Sequence, residues 1–240
     1  MNWKVFDEQE RLRRNDAFLS GVDAKKPAPA KSVEAPELAE NSLKVLIKAA
    51  LEPGLCLLEI YAALGLHPAE GTAAVTDLVA RAFAKVHRFP RKGRGGQPQA
   101  LEPLPNGMEE LAKRGISPPP RKIARGGWKH DVYARQLERW AVSQGFHHWF
   151  EKRYGAKHFD VVIEDGQGNL QGIEICLTGS AEWTASQTIK GAEVQGISLV
   201  VVACERQDFL KAILDEIGKV DRLGLYQRKI VGKLMVDYLE

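Results

Sequence analysis

The residues best suited to chemistry lie in one short segment, residues 157–176, which reads Lys-His-Phe-Asp-Val-Val-Ile-Glu-Asp-Gly-Gln-Gly-Asn-Leu-Gln-Gly-Ile-Glu-Ile-Cys. It contains two carboxylates, Asp160 and Glu174, that folding could bring together. Paired carboxylates make a hard oxygen site of the kind that holds Mg²⁺ or Mn²⁺ and an attacking water beside a phosphodiester. The alternative is that both acids are ordinary solvent-facing strand residues.

The segment has the pattern of a β-hairpin. Residues 159–163 and 170–177 are rich in β-branched and apolar residues, and Asp-Gly-Gln-Gly-Asn between them favours a tight turn. Because side chains alternate across a strand, Glu174 and Cys176 share one face, and Asp160 can reach that face from the start of the partner strand. The pattern therefore predicts a metal site near one end of a sheet.

At these residues the sequence resembles the PD-(D/E)XK superfamily of restriction-endonuclease-like folds, which includes archaeal Holliday-junction resolvases and many repair and mobile-element nucleases. The resemblance spans roughly residues 126–203. The family has a helix, a three-stranded meander carrying Asp and then Glu-x-Lys, a second helix and a further strand. In the same order, the chain offers a helix at 131–143, strands near Trp149, Asp160 and Glu174, a helix at 181–193 and a strand at 197–203. The resemblance implies an α/β domain with a mixed central sheet flanked by helices.

The resemblance assigns roles to three residues and exposes one mismatch. Asp160 takes the place of the first acid of the motif and Glu174 that of the second, while Cys176 stands where the family has its lysine. A thiol is a poor substitute, because the neutral form is a weak donor and the thiolate adds negative charge where the transition state needs positive charge. Either the cation has moved elsewhere in the sequence, or the site is degenerate.

Several residues could complete the site. Lys190, on the predicted helix after the Glu174 strand, is the candidate replacement cation; the alternative is a solvated helix lysine. His130 begins the first helix, where relatives often carry a polar active-site residue; the alternative is a capping or packing histidine. Glu138 and Glu151 are candidates for an accessory acid.

The N-terminal half has the pattern of a winged helix. Helices are predicted to begin near Asn41, at Leu57 and near Thr72, the last running to Val86, and the short glycine-bearing turn before the third makes a helix-turn-helix arrangement. A glycine-rich segment and a short final helix then fit a hairpin wing and its closing helix. Ahead of this domain, the Pro/Ala-rich residues 25–36 read as a linker.

The wing segment is basic. Residues 78–101 contain no acid but six cations, namely Arg81, Lys85, Arg88, Arg91, Lys92 and Arg94. Lys85 is predicted on the recognition helix, and Arg91, Lys92 and Arg94 on the wing, where they can neutralise DNA phosphates together with Arg88. Two alternatives stay open: some winged helices bind protein, and a basic loop can be merely solvated.

Composition narrows the classes of protein to which this chain can belong. The chain has 240 residues and a net charge of only +3, which does not by itself demand nucleic acid. Its three cysteines are far apart, which speaks against a zinc ribbon or a disulfide framework and favours a reducing, cytoplasmic compartment. No apolar run is long enough to span a bilayer, and no signal-peptide core is found, so no membrane partner is expected.

Taken together, we expect a flexible segment and linker at 1–40, a mostly α winged-helix domain at 41–116, a linker at 117–126 and an α/β nuclease-like domain at 127–240. This pairing, with its Gly-Gly-x-x-His junction, resembles the C-terminal regions of certain ring-forming DNA-translocating ATPases. The chain has no Gly-x-x-x-x-Gly-Lys-Ser/Thr segment, so an ATPase motor would be a separate partner or absent.

The sequence thus predicts a DNA-binding protein, with duplex or branched DNA as the partner. In the active version it is a Mg²⁺- or Mn²⁺-dependent endonuclease of a mobile-element, defence or repair system. In the alternative it is a catalytically inactive nuclease-like adaptor or regulator that acts with a DNA-translocating ATPase, which the cysteine at position 176 favours. A third hypothesis is a protein-interaction module that docks on such an ATPase. A homodimer is one of the arrangements open to it.

Overall fold

The N-terminal part of the protein consists of helices and one β-hairpin. The computed structural model describes residues 37–91, 96–120, 122 and 125–238. Its first elements are α1 (Glu40–Leu51), α2 (Leu57–Leu64), α3 (Pro68–Ala80), β1 (Ala84–Arg88), β2 (Gln99–Pro103) and α4 (Pro105–Lys113). β1 and β2 pair as an antiparallel two-stranded sheet. The order of elements is the predicted one, and the winged-helix identity itself stays a prediction.

The turn between α2 and α3 explains how these helices pack. Gly65 ends α2 with a left-handed φ of 66°, and His67 begins α3 by accepting the N–H of Ala69. A Cβ built on Gly71 would lie 2.4 Å from the ring of Tyr61. The two helices therefore approach so closely that only glycine fits at position 71.

The third helix ends earlier than predicted. Helix α3 stops at Ala80, Ala82 then adopts a left-handed φ of 54°, and the chain turns into strand β1. On this strand Val86 packs against the core of the helices, while Lys85 faces solvent. The prediction that Lys85 lies on the recognition helix is therefore wrong, because the alternation of a strand buries Val86 and exposes its neighbour.

A five-stranded sheet dominates the C-terminal part. Its elements are α5 (Trp128–Ser143), β3 (His147–Tyr154), β4 (Lys157–Glu164), β5 (Leu170–Cys176), α6 (Ala181–Ala192), β6 (Ile197–Cys204), α7 (Gln207–Val220) and β7 (Ile230–Leu234), with short 3₁₀ turns on either side of β7. The strand order is β3-β4-β5-β6-β7. Strands β3 to β5 are antiparallel, whereas β5, β6 and β7 are parallel. The sheet is therefore mixed.

Helices cover both faces of this sheet. Val132 and Leu137 of α5 share a buried cluster with Val161, while on the other face α6 and α7 pack with Val162 and Val202. This arrangement confirms the predicted α/β architecture with a mixed central sheet flanked by helices. No helix in the described parts of the chain is both long and apolar enough to cross a membrane.

The hairpin β1/β2 packs on the C-terminal part. Phe89, just after β1, is 1% exposed and lies in the same cluster as Tyr133 of α5. The rings of His87 and Trp128 stack with centroids 4.9 Å apart. Residues 38–240 accordingly form one compact unit. The region expected to act as a linker therefore connects two parts that also share buried contacts.

We expect Phe89→Ala to destabilise the whole of this unit. Emptying a buried phenylalanine site costs about 3–5 kcal/mol. Because Phe89 lies in a core shared by both parts, thermal unfolding followed by circular dichroism and by tryptophan fluorescence should show one transition, shifted to lower temperature. Leu58→Ala is the matched control, because Leu58 is 67% exposed. Two separate transitions, of which only one moves, would contradict the shared core.

Candidate active site

The predicted acids line one pocket at the end of the hairpin formed by β4 and β5. The pocket has a volume of about 470 Å³. Its lining includes His130 from α5, Glu151 from β3, Lys157 and Asp160 from β4, and Glu174 from β5. Residues from one helix and three strands therefore converge on one cavity. We call it the acidic pocket.

Asp160 opens the pocket by ending the regular pairing of two strands. The β4/β5 ladder runs from Glu164↔Leu170 to Val161↔Ile173. One residue further, Oδ2 of Asp160 accepts the N–H of Ile175 at 2.8 Å. A side chain therefore takes over the acceptor role of the backbone, and the strands separate at this point.

The alternation of β4 also breaks at Asp160. Phe159 packs with the cluster beneath α6 and α7, whereas Val161, two residues later, packs with the cluster beneath α5. On the neighbouring strand, Glu151 lies opposite Asp160 and has a left-handed φ of 46°. A non-glycine residue in this conformation is strained, and such strain is concentrated at functional sites. Both strands are therefore distorted where the pocket forms.

His130 contacts both strands of the hairpin. Its Nε2 lies 3.0 Å from the carbonyl oxygen of Ile175 and 3.4 Å from Oδ2 of Asp160, so this nitrogen carries a proton. Burial acts to lower the pKa of His130, but Asp160 and the Ile175 carbonyl outweigh it, and the pKa lies above its usual value. A Cβ built on Gly126 would lie 2.8 Å from Cγ of His130. The glycine of the predicted Gly-Gly-x-x-His junction thus makes room for the imidazole.

Glu174 pairs with a lysine that the sequence did not identify. The Nζ of Lys157 lies 2.6 Å from Oε1 of Glu174, and the two side chains are only 11% and 16% exposed. A carboxylate oxygen has more than one acceptor site, so Oε1 keeps acceptor capacity beside this ammonium. Burial raises the pKa of Glu174 to about 7; Lys157 opposes the rise and Asp160 adds to it.

The cation of the site is thus on β4 instead of at the Glu-x-Lys position. Cys176 pairs in register with Cys204 of β6, and its Sγ lies 3.7 Å from the backbone oxygen of Glu174. Contact with Cys204, burial and the nearby carboxylates raise the pKa of Cys176 well above its usual value. Cys176 is therefore a neutral thiol at pH 7 and brings no charge to the pocket.

Other predicted residues lie elsewhere. Lys190 is exposed on α6 and lines a neighbouring pocket, which it shares with Lys157. Glu138 lies on α5 with its carboxylate 3.4 Å from His148 and 3.6 Å from Lys122. Neither residue lines the acidic pocket, whereas Glu151, the other proposed accessory acid, does.

The basic residues proposed to bind DNA belong to the hairpin β1/β2 and its loop. Lys85 and Arg88 lie exposed on β1, and Arg91, also exposed, donates a hydrogen bond to the carbonyl of Gly96 at 3.3 Å. Lys92 and Arg94 lie outside the described residues. Helix α3 itself carries two acids and no lysine or arginine, so it offers no cation to DNA phosphates, unlike the hairpin.

The acidic pocket fits a hard divalent cation in the type of its ligands. Asp160 and Glu174 offer carboxylate oxygens, and the buried Oε1 of Glu174 has unused acceptor capacity. Within the described ranges, no cluster of three or more His, Cys, Asp or Glu side chains forms a ready-made metal site. A cation here would therefore need further ligands, such as water or substrate, as Mg²⁺ commonly has.

Comparison of the sequence with protein-family models finds no match, and comparison with curated proteins finds none either. The chemistry of this protein is therefore inferred from the geometry of the acidic pocket.

We expect Mn²⁺ to stabilise the protein more at pH 8 than at pH 6. Glu174, with its pKa raised to about 7, must lose its proton to bind a cation, so affinity should rise with pH through that value. Bound cation then raises the melting temperature by mass action. The measurement is the melting temperature with and without millimolar Mn²⁺ at each pH.

Without metal, the stability of the protein depends on pH in the opposite direction. The pKa of Glu174 is about 7 in the folded state and 4.5 ordinarily, so between these two values the folded state binds a proton that the unfolded state has lost. The free energy of unfolding therefore falls as pH rises from about 4.5 to about 7. Asp160→Asn is the control and should remove the Mn²⁺ effect at both pH values. A Mn²⁺ effect that is absent, or equal at both pH values in the wild type, would contradict Glu174 as a ligand.

Proposed function

We propose that this protein is a metal-dependent DNA endonuclease. One observation carries the proposal: Asp160, Glu174 and Lys157 face a single pocket, so that two acids and one cation of the expected types are together. Mg²⁺ or Mn²⁺, when bound, would polarise the phosphate and activate a water. The resemblance to restriction-endonuclease-like folds, and the agreement of the sheet with the predicted order, support the same reaction.

The side chains have separable roles in this proposal. Asp160 and Glu174 hold the cation. Lys157 stabilises the negative charge that develops on the attacked phosphate, the role that Cys176 cannot fill. His130 is a positioning residue, because its contacts to Asp160 and to the Ile175 carbonyl keep the first acid oriented.

The basic hairpin would bring DNA to this pocket. Its residue His87 stacks on Trp128, in the first turn of α5, and the same turn carries His130. Gly127, the residue before this helix, lines the acidic pocket. The surface that carries Arg88 and Arg91 and the pocket that carries the acids are therefore joined through one rigid helix, so a single DNA molecule could contact both.

A second candidate is a nuclease-like domain that binds DNA without cutting it, as an adaptor or regulator working with a DNA-translocating ATPase. The observation that favours it is the closeness of the Lys157–Glu174 pair, because an ammonium in contact with an acid competes with a divalent cation for the same oxygen. In that case Lys157 is a permanent structural partner of Glu174.

We expect purified protein to cut plasmid or branched DNA in Mg²⁺ or Mn²⁺, and Lys157→Met to lower the rate on the order of 10²-fold, the usual effect of removing one group that stabilises transition-state charge. Lys190→Met is the matched control, a lysine lost from outside the acidic pocket, and should keep the wild-type rate. Glu174→Ala and Asp160→Asn should abolish cleavage, which excludes a contaminating nuclease.

The outcomes separate the two candidates. Loss of activity in Lys190→Met but not in Lys157→Met would show that the helix lysine is the working cation. Wild-type protein that binds these substrates and cuts none of them would favour the adaptor.

We expect neutralisation of Arg91, Lys92 and Arg94 to weaken duplex binding and to flatten its salt dependence. Each lost phosphate contact should reduce the slope of log K against log salt by roughly 0.9. The measurement is binding of a labelled duplex over a salt series, with Lys211→Gln on α7 as a control for the loss of a positive charge elsewhere on the surface. An unchanged slope would show that the hairpin loop does not contact the DNA backbone.

A further inference from the structure

One large apolar side chain stands exposed beside the acids of the pocket. Trp183, in the first turn of α6, is 66% exposed and lines the acidic pocket together with Asp160 and Glu174. No other large apolar side chain of α6 is exposed. Among the described residues, no aromatic ring stacks on this indole and no cation lies over it. This aromatic face, at the edge of a charged cavity, is therefore available to stack on a ligand.

The backbone beneath Trp183 is held firmly. The Oγ of Ser180 accepts the N–H of Trp183 at 3.3 Å and so caps the helix. Along the same helix, the hydroxyl of Thr184 donates to the carbonyl of Ser180 at 3.0 Å, and the hydroxyl of Thr188 donates to the carbonyl of Thr184 at 2.9 Å. The backbone that carries the indole is therefore fixed at the start of α6.

A hydrogen-bonding group accompanies the ring. Gln187 lies four residues after Trp183, on the same side of the helix, and also lines the acidic pocket. An aromatic plane beside an amide that can donate and accept is suited to a nucleobase, which offers a flat face and a hydrogen-bonding edge. The start of α6 also favours the negative charge of a phosphate, through the dipole of the helix.

We propose that Trp183 is a stacking platform for an unpaired nucleobase next to the phosphate that is cut, so that the preferred substrate is DNA with single-stranded character at the cleavage point, such as a flap. This deepens the proposed function and rests on it. Within a duplex, each base is covered on both faces by its neighbours, and only an unpaired or extruded base can stack on a protein ring. The pocket volume, about 470 Å³, lies in the range of small-molecule sites, roughly 300–1,000 Å³, and so suits a single nucleotide.

A protein partner is the competing occupant of this surface. Such a partner would need a contiguous apolar patch. The pocket that the indole lines has the charged and polar side chains of Lys157, Glu174 and Gln187, whereas its apolar Phe159 and Ile175 are buried and offer no apolar patch to a partner. The surroundings therefore favour a charged, hydrogen-bonding ligand that also has an aromatic face.

The test measures binding of a labelled single strand, a flap and a duplex of matched sequence in Ca²⁺, separately from cleavage. Wild-type protein should bind the single strand and the flap more tightly than the duplex. Trp183→Ala should weaken these two by about 5- to 150-fold, the equivalent of roughly 1–3 kcal/mol of stacking per base, and leave duplex binding unchanged. Trp183→Phe, which keeps an aromatic face, should retain most of the affinity.

Two controls make the result decisive. Val142→Ala removes another exposed apolar side chain, 61% exposed on α5, and should alter no affinity. An unchanged melting temperature of Trp183→Ala shows that the fold is intact, as expected for so exposed a residue. Equal weakening of all three ligands, or of none, overturns the platform.

The experiment distinguishes failure of the stacking proposal from failure of the endonuclease proposal. If Trp183→Ala loses single-strand and flap affinity as expected but the wild type cuts no substrate, the platform stands and the endonuclease proposal falls. If the wild type cuts DNA while Trp183→Ala binds every substrate normally, the endonuclease proposal stands and the platform falls.

Discussion

The hydrogen bond from the backbone N–H of Ile175 to the carboxylate of Asp160 determines the shape of the candidate site. A regular hairpin would continue to pair through backbone carbonyls and would leave no cavity. By supplying the acceptor from a side chain, Asp160 satisfies a donor that would otherwise be buried without a partner, and the two strands can separate without that cost. Because the strands separate, one pocket is lined by His130, Glu174 and Lys157 together.

The separated strands concentrate charge in a poorly solvated place. Taking Glu174 and Lys157 out of water is expensive, and their contact at 2.6 Å offsets this cost only when both are charged. The raised pKa of Glu174 shows that burial and the neighbouring Asp160 outweigh the attraction of the lysine. An additional positive charge would relieve the repulsion between the two acids. The pocket is therefore electrostatically disposed to accept a cation.

The parts of this structure that follow from local patterns were predictable, and those that depend on distortion were not. Alternation and turn residues predicted the hairpin, and the resemblance to restriction-endonuclease-like folds implied the mixed sheet. Lys157 was missed because the motif has its cation two residues after the second acid, whereas the cation of this pocket lies at the start of β4. Counting back two residues from the buried Phe159 would have placed Lys157 on the α6 face, where Glu174 also points.

Two lysines show where local patterns are a weak guide. Lys190 was suggested by its place on the helix after the Glu174 strand, and it lies on the exposed side of α6 because of how that helix packs against the sheet, which the sequence pattern does not determine. Helical periodicity extended the third helix through Lys85, although the left-handed turn at Ala82 ends it. The placement of Lys85 on a helix was wrong because local propensity did not locate this turn.

Packing of the hairpin on α5 constrains how nucleic acid could bind. Phe89 and Ala100 of the hairpin region are buried in the same cluster as Val132 and Leu137 of α5, so the basic surface cannot swing freely relative to the acidic pocket. Two binding elements on a flexible tether would accept substrates of many geometries, whereas two elements fixed on one core accept only DNA that spans the distance between them. In the proposed function, selectivity for a DNA structure would thus arise from the fixed spacing of hairpin and pocket, without any contact that reads a base sequence.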